Sequence, residues 1–132
     1  MTQSVWIQRD GLLQFSVPIG ADAWFFPYHF HGDPVMPGSL GLEGCFQALA
    51  FILGAFGVCG GARQRCEPMP RVETSLRLLR QITPESRDLT YDVHVRSFRN
   101  TDGPVVHADI IGRVNGQAAF VSTNAVVRMV RF

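Results

Sequence analysis

Polar and apolar residues alternate with a period of two over much of the second half of the chain, the pattern of strands with one face buried. In residues 72–81, Val72, Thr74, Leu76 and Leu78 alternate with Glu73, Ser75, Arg77 and Leu79; in residues 89–98, Leu89, Tyr91, Val93 and Val95 alternate with Thr90, Asp92, His94 and Arg96. Pro84-Glu85-Ser86 turns the chain between these two runs, and Asn100-Thr101-Asp102-Gly103 makes the next turn. Residues 105–114 and 118–130 read as two further strands joined by Asn115-Gly116, a strong hairpin signal. Near the start, residues 5–8 and 12–18 are short β-favouring runs separated by the turn dipeptide Asp10-Gly11. Residues 19–40 carry Gly20, Pro27, Gly32, Pro34, Pro37 and Gly38, too many breakers for a long regular element, and predict a structured loop.

One stretch departs from the period of two. After Ser39, a credible N-cap, apolar residues recur on every face of a predicted helix over residues 40–56, and Gly57 with Gly60-Gly61 supplies the stop. A helix apolar all round has to be surrounded, and in a small chain the simplest cover is a sheet wrapped about it. The expected architecture is therefore α+β, a hotdog fold: an antiparallel sheet curled round one long central helix, forming a single domain over residues 1–132. The apolar run over residues 45–58 is interrupted by Gln47, Gly54 and Gly57 and falls short of the roughly 20 residues that cross a bilayer, so no membrane span is expected.

Composition narrows the picture. With 46% hydrophobic and 17% charged residues in 132, some apolar surface is expected to face another chain. A net charge of +1 argues against nucleic acid or an anionic membrane as the main partner. All 12 basic residues are arginine, which supplies bidentate binders of carboxylate and phosphate. The three cysteines, Cys45, Cys59 and Cys66, are odd in number and lack CxxC spacing, so neither a disulfide framework nor a zinc site is indicated and a cytoplasmic setting is expected. Residues 1–4 have neither a basic nor an apolar region of a signal peptide.

The candidate chemistry lies where loop meets helix. Glu43 is a carboxylate on a helix with hardly another charge, a costly residue to bury, and Gln47 sits four residues on, placed to hydrogen-bond it. His29 precedes it in the loop as a candidate base near neutral pH. His29 and His31 lack a third ligand at useful spacing, so acid–base chemistry is preferred to a metal. Cys45 reads as a small core residue rather than a nucleophile.

The run His29-Phe30-His31-Gly32-Asp33-Pro34-Val35-Met36-Pro37-Gly38-Ser39-Leu40-Gly41-Leu42-Glu43, with Trp24-Phe25-Phe26 before it and Gln47 after it, resembles the hallmark of the FabA-type β-hydroxyacyl-acyl carrier protein dehydratases. A weaker likeness continues through Gly61, Gln81-Ile82-Thr83-Pro84 and Tyr91-Asp92-Val93-His94. The resemblance implies a homodimer, or a pseudo-dimer with another hotdog domain, in which each site takes its histidine from one protomer and its acid from the other. It implies His29 as catalytic base, Glu43 as catalytic acid, Gly38 as the amide that binds the thioester carbonyl, Val35 as the carbonyl that orients the histidine, and Gln47 as the residue that steadies the acid. An acyl tunnel beside the helix would be lined by residues such as Phe26 and Phe46. The substrate would ride on the phosphopantetheine of an acyl carrier protein, docked by arginines such as Arg96 and Arg99, with no cofactor or metal of the enzyme's own.

The wording Pro37-Gly38-Ser39-Leu40-Gly41-Leu42-Glu43 is most similar to dehydratase domains of polyunsaturated fatty acid and polyketide synthases; the chain begins close to its first strand, without the helical lead-in of the free-standing enzymes it resembles, and is expected to be an excised domain or a compact accessory dehydratase. Glu43 stands where the isomerising members carry aspartate, which implies dehydration without isomerisation. Two other readings remain open at this point: a hotdog thioesterase, and a non-catalytic hotdog half that pairs with an active one.

Overall fold

The computed structural model describes residues 4–7, 11–30, 32–55, 64–100 and 103–131. Asp10, His31, the helix stop over residues 57–61, Cys59 and the 101–102 part of a predicted turn lie outside the described residues. Among the described residues, seven strands and one helix follow in the order β1 (Ser4–Ile7), β2 (Leu12–Pro18), α1 (Gly38–Ala55), β3 (Gln64–Pro68), β4 (Ser75–Leu78), β5 (Asp88–Asn100), β6 (Pro104–Val114) and β7 (Gln117–Arg131). They form one antiparallel sheet ordered β1-β2-β5-β6-β7-β3, with β4 also on β7. The α+β hotdog arrangement is thus present, with α1 packed against β7, β6, β5 and β3.

Alternation carries the core. Leu89, Tyr91 and Val93 of β5 and Val106, Ala108 and Ile110 of β6 turn inward onto Cys45, Leu49, Ile52 and Leu53 of α1, all buried. On the opposite face, Asp92 accepts hydrogen bonds from Gln14 Nε2 at 2.8 Å and Arg113 Nε at 2.7 Å, tying β2, β5 and β6 together.

β7 changes phase part-way. Phe120 and Ser122 are buried, then Ala125, Val127 and Met129, so the inward set passes from even to odd numbers. The cause is a bulge: Ala108 pairs Ala125 but Ile110 pairs Ser122, three steps on β7 against two on β6, with Asn124 at φ 63°. The Asn124 N–H donates to Asp109 at 2.9 Å and its side-chain amide donates to the Glu73 carbonyl at 3.0 Å. Beyond the kink β7 exchanges its edge partner, pairing β4 over Phe120–Thr123 and β3 over Val127–Arg131.

Three expectations are corrected. α1 begins at Gly38 rather than Leu40, so Ser39 lies inside the first turn. The strand expected over residues 72–81 is confined to Ser75–Leu78: it starts opposite Thr123, next to the kink at Asn124, and ends where the Leu79 and Arg80 N–H groups both donate to the Ala119 carbonyl. Strand β3 was not anticipated; its sequence Gln64-Arg65-Cys66-Glu67-Pro68 is polar, and Arg128 donating to Glu67 at 2.6 and 2.8 Å helps fix it on β7.

The cover on α1 is also incomplete within one chain. Ser39, Glu43, Gln47, Phe51 and Gly54, spaced by three or four residues, form an exposed stripe. Phe51 is 47% exposed and meets Phe15 edge-on at 5.6 Å between ring centroids. Among the described residues no helix is long and apolar enough to cross a membrane.

Candidate active site

The loop before α1 folds back on itself and presents His29. The Val35 N–H donates to the His29 carbonyl at 2.8 Å, the Phe30 N–H donates to the Asp33 carbonyl at 2.9 Å, and the Asp33 N–H returns to the Phe30 carbonyl at 3.0 Å. Gly32 at φ 77° makes the reversal, a conformation that costs a residue with a Cβ about 1–2 kcal/mol. The His29–Phe30 peptide is cis, and the two rings stack with centroids 4.0 Å apart.

His29 Nδ1 lies 3.1 Å from the Val35 carbonyl. A carbonyl only accepts, so this contact selects the tautomer in which Nδ1–H donates and Nε2 carries the free lone pair. Nε2 is thereby prepared to accept a proton. His29 and Val35 line a groove of about 350 Å³ with Gly38, the first residue of α1, whose N–H has no acceptor within the helix. The positive end of the helix dipole lies at this same residue, so the groove joins a base to a donor able to stabilise a developing oxyanion. A Cβ at Gly38 would come 3.0 Å from Leu78 Cδ1, so glycine lets the helix start lie close to β4.

Glu43 opens on a different groove. It lies in the second turn of α1, is exposed, and with Gln47 lines a cavity of about 400 Å³ whose other walls include Trp24, Phe25, Leu40, Leu89 and Tyr91. Met36 borders both grooves. Neither Glu43 nor Gln47 has a hydrogen-bond partner among the described residues; with both side chains turned to solvent, the expected bond between them is not formed. Tyr91 is buried, its hydroxyl pushed upward in pKa first by that burial, and a Cβ at Gly44 would collide with its oxygen.

Other residues singled out from the sequence fall elsewhere. Phe26, 3% exposed, packs edge-on to Phe25, and Phe46 packs on the core; neither lines the Glu43 groove or the His29 groove, and the apolar wall beside Glu43 comes from Trp24, Phe25 and Tyr91 instead. The aromatic run 24–26 was legible as a motif, but which ring faces the cavity is decided by the loop's turns. Arg96 and Arg99 lie on β5 five and eight residues past Tyr91 and line neither groove; Arg96 Nε donates to Asp109 at 2.6 Å. Burial pushes the Cys45 thiol up to about 12, which leaves it protonated and poorly nucleophilic. Among the described residues no group of three or more His, Cys, Asp or Glu side chains is placed to hold a metal ion.

Comparison with known proteins agrees with this architecture. A family model for the FabA-like domain matches residues 7–122. A Streptococcus mutans UA159 protein solved bound to acetyl CoA superimposes with a TM-score of 0.66 at 9% identity, covering 99% of this chain and 90% of that one. A hypothetical thioesterase from Streptococcus pneumoniae TIGR4, solved with coenzyme A, gives 0.64 at 13% identity, covering 98% and 87%. A mutant thioesterase from Pseudomonas aeruginosa gives 0.58 at 16% identity, covering 98% and 82%. At these identities the likeness concerns the fold.

Proposed function

The chain belongs to the FabA-like domain family, and from that premise we propose that it dehydrates 3-hydroxyacyl thioesters carried on an acyl carrier protein, releasing trans-2-enoyl thioesters. The observation that carries the reading is the tautomer: Val35 holds Nδ1–H of His29 and leaves Nε2 as a base in the groove that Gly38 also lines.

The chemistry follows from these groups. Nε2 removes a proton from C2 of the substrate while the Gly38 N–H stabilises the charge that gathers on the thioester oxygen. Glu43 gives a proton to the 3-hydroxyl, which leaves as water as the C2–C3 double bond forms. Exchange with solvent resets both groups. The apolar wall of Trp24, Phe25, Leu89 and Tyr91 suits an acyl chain.

Because His29 and Glu43 open on separate grooves of one chain, the reading places the reaction between two copies, His29 of one facing Glu43 of the other. The exposed stripe of α1 and the exposed Trp24, Tyr28, Phe30, Leu78 and Leu79 support such an association, since apolar surface of this kind is costly to leave in water. Glutamate at position 43, where isomerising relatives carry aspartate, supports dehydration alone.

Thioester hydrolysis is the second reading, favoured by the thioesterases among the structural neighbours and by Glu43, exposed and without a partner among the described residues, as a holder of attacking water. Incubation with a 3-hydroxyacyl thioester separates the two: dehydration yields enoyl thioester with no free thiol, and hydrolysis yields thiol with no enoyl product.

A further inference from the structure

The Glu43 cavity has a polar floor as well as a polar mouth. Among the residues that line it, only Glu43, Gln47 and Tyr91 bring side-chain oxygens, and the walls between them are apolar, Val17, Leu40 and Leu89 included. Glu43 and Gln47 are exposed and stand at the mouth, whereas Tyr91, 4% exposed, reaches the cavity from the sheet side. Its position is fixed. Tyr91 lies on β5 between Phe15 of β2 and Gly112 of β6, its ring meets Phe120 at 5.7 Å between centroids, and its oxygen occupies the space that Gly44 of α1 leaves free. The phenol thus meets the helix one residue after Glu43.

That hydroxyl has no hydrogen-bond partner among the described residues. Nor is it sealed in the core: among the described residues that are not exposed, Ser122 Oγ is the only side-chain nitrogen or oxygen that lacks both a partner and accessible surface, so the Tyr91 oxygen keeps contact with the cavity it lines. Burial, and after it the neighbouring Cys45, push the phenol upward in pKa, so at neutral pH it keeps its proton and acts as a donor. A ligand that puts hydrocarbon against such a donor leaves it unpaired, and one that brings an oxygen satisfies it.

We propose that the Tyr91 hydroxyl donates a hydrogen bond to the 3-hydroxyl oxygen of the bound acyl group, across the cavity from the Glu43 carboxyl. This rests on the dehydration reading above and makes Tyr91 a specificity residue for the hydroxylated substrate. When Glu43 gives its proton to that oxygen and the C3–O bond breaks with its electron pair on oxygen, Tyr91 keeps its own proton and the departing water stays hydrogen-bonded to it.

The test is binding rather than turnover. Calorimetry on the whole protein compares pantetheine amides, stable in place of the thioester, that carry a 3-hydroxyacyl chain, a 5-hydroxyacyl chain or the same chain without a hydroxyl. The wild type is expected to bind the 3-hydroxyacyl amide most tightly, and Tyr91→Phe should cut its preference over the unsubstituted chain about tenfold, as loss of one hydrogen bond to a buried donor would give. Ser122→Ala, which removes a hydroxyl sealed from the cavity, should leave the preference as in wild type, with circular dichroism unchanged in both variants. Equal affinity of the wild type for hydroxylated and unsubstituted chains, a preference that survives Tyr91→Phe, one lost equally in Ser122→Ala, or a Tyr91-dependent preference for the 5-hydroxyl overturns the proposal. If the preference depends on Tyr91 while no enoyl product forms from the thioester, the dehydration reading fails and the hydroxyl contact stands; if enoyl product forms and the preference ignores Tyr91, the reverse holds.

Discussion

His29 and Val35 hold each other by two hydrogen bonds across the loop before α1, the Val35 N–H donating to the His29 carbonyl at 2.8 Å and His29 Nδ1 meeting the Val35 carbonyl at 3.1 Å. Both ends of the histidine are therefore tied to backbone, and its free nitrogen is set by geometry rather than by a neighbouring charge. His29→Ala should lower the rate of enoyl formation by roughly 10²–10⁴, the usual worth of one positioned base, with the circular dichroism spectrum unchanged. Undiminished turnover in that variant would remove His29 from the mechanism.

Gly32 is the hinge of the same loop, at φ 77°, and nothing lies within 4 Å of the point a Cβ would occupy, so a substitution there tests backbone strain alone. Gly32→Ala should cost about 1–2 kcal/mol of stability, or relax the loop and misplace His29. Thermal melting and turnover, measured together, should show a loss in at least one; a variant identical to wild type in both would contradict the role given to this turn.

The core leaves no room for a side chain where Gly112 meets Phe120. A Cβ at Gly112 would collide with the Phe120 ring, which is 2% exposed, meets Tyr91 at 5.7 Å between centroids and lies against Gly41. Gly112→Ala should destabilise the fold by about 1–3 kcal/mol through overpacking, and Phe120→Leu in the same chain should recover part of it. Chemical denaturation of both variants gives the comparison.

Asp109 links strands on the outer face. Burial works against its ionised form, but the Asn124 N–H and the Arg96 guanidinium outweigh it and hold its carboxyl below the usual aspartate range. A folded pKa below the unfolded one stabilises above the unfolded value, about 3.9, and that contribution is lost as pH falls through the folded pKa. Asp109→Asn should thus be less stable than wild type at neutral pH, with the gap narrowing in acid. A gap that widens on acidification would contradict this assignment.

Much of this arrangement was legible in residue pattern, and the rest was hidden for physical reasons. Alternation located β5 and β6 because each has one face on the core and one in water. The polar triplet Ser122-Thr123-Asn124 inside β7 was the visible trace of its bulge, but the phase change depends on pairing with β6, which local sequence does not encode. β3 left no apolar signal because its place on β7 is aided by Arg128 and Glu67, residues 61 positions apart. The loop motif pointed to His29, Val35 and Gly38, and these do line one groove. Exposure of Glu43 was missed, since an apolar helix suggested complete cover and the sheet covers only part of it.

The central claim, that His29 of one copy works with Glu43 of another, is tested most directly by mixing two inactive variants. His29→Ala and Glu43→Gln are purified separately, combined in equal amounts under conditions where subunits exchange, and assayed for enoyl thioester. Half of the resulting dimers would be mixed, each with one intact site of two, so about a quarter of wild-type activity should return. No recovery in a mixture where exchange is demonstrated by mass spectrometry would contradict the shared site.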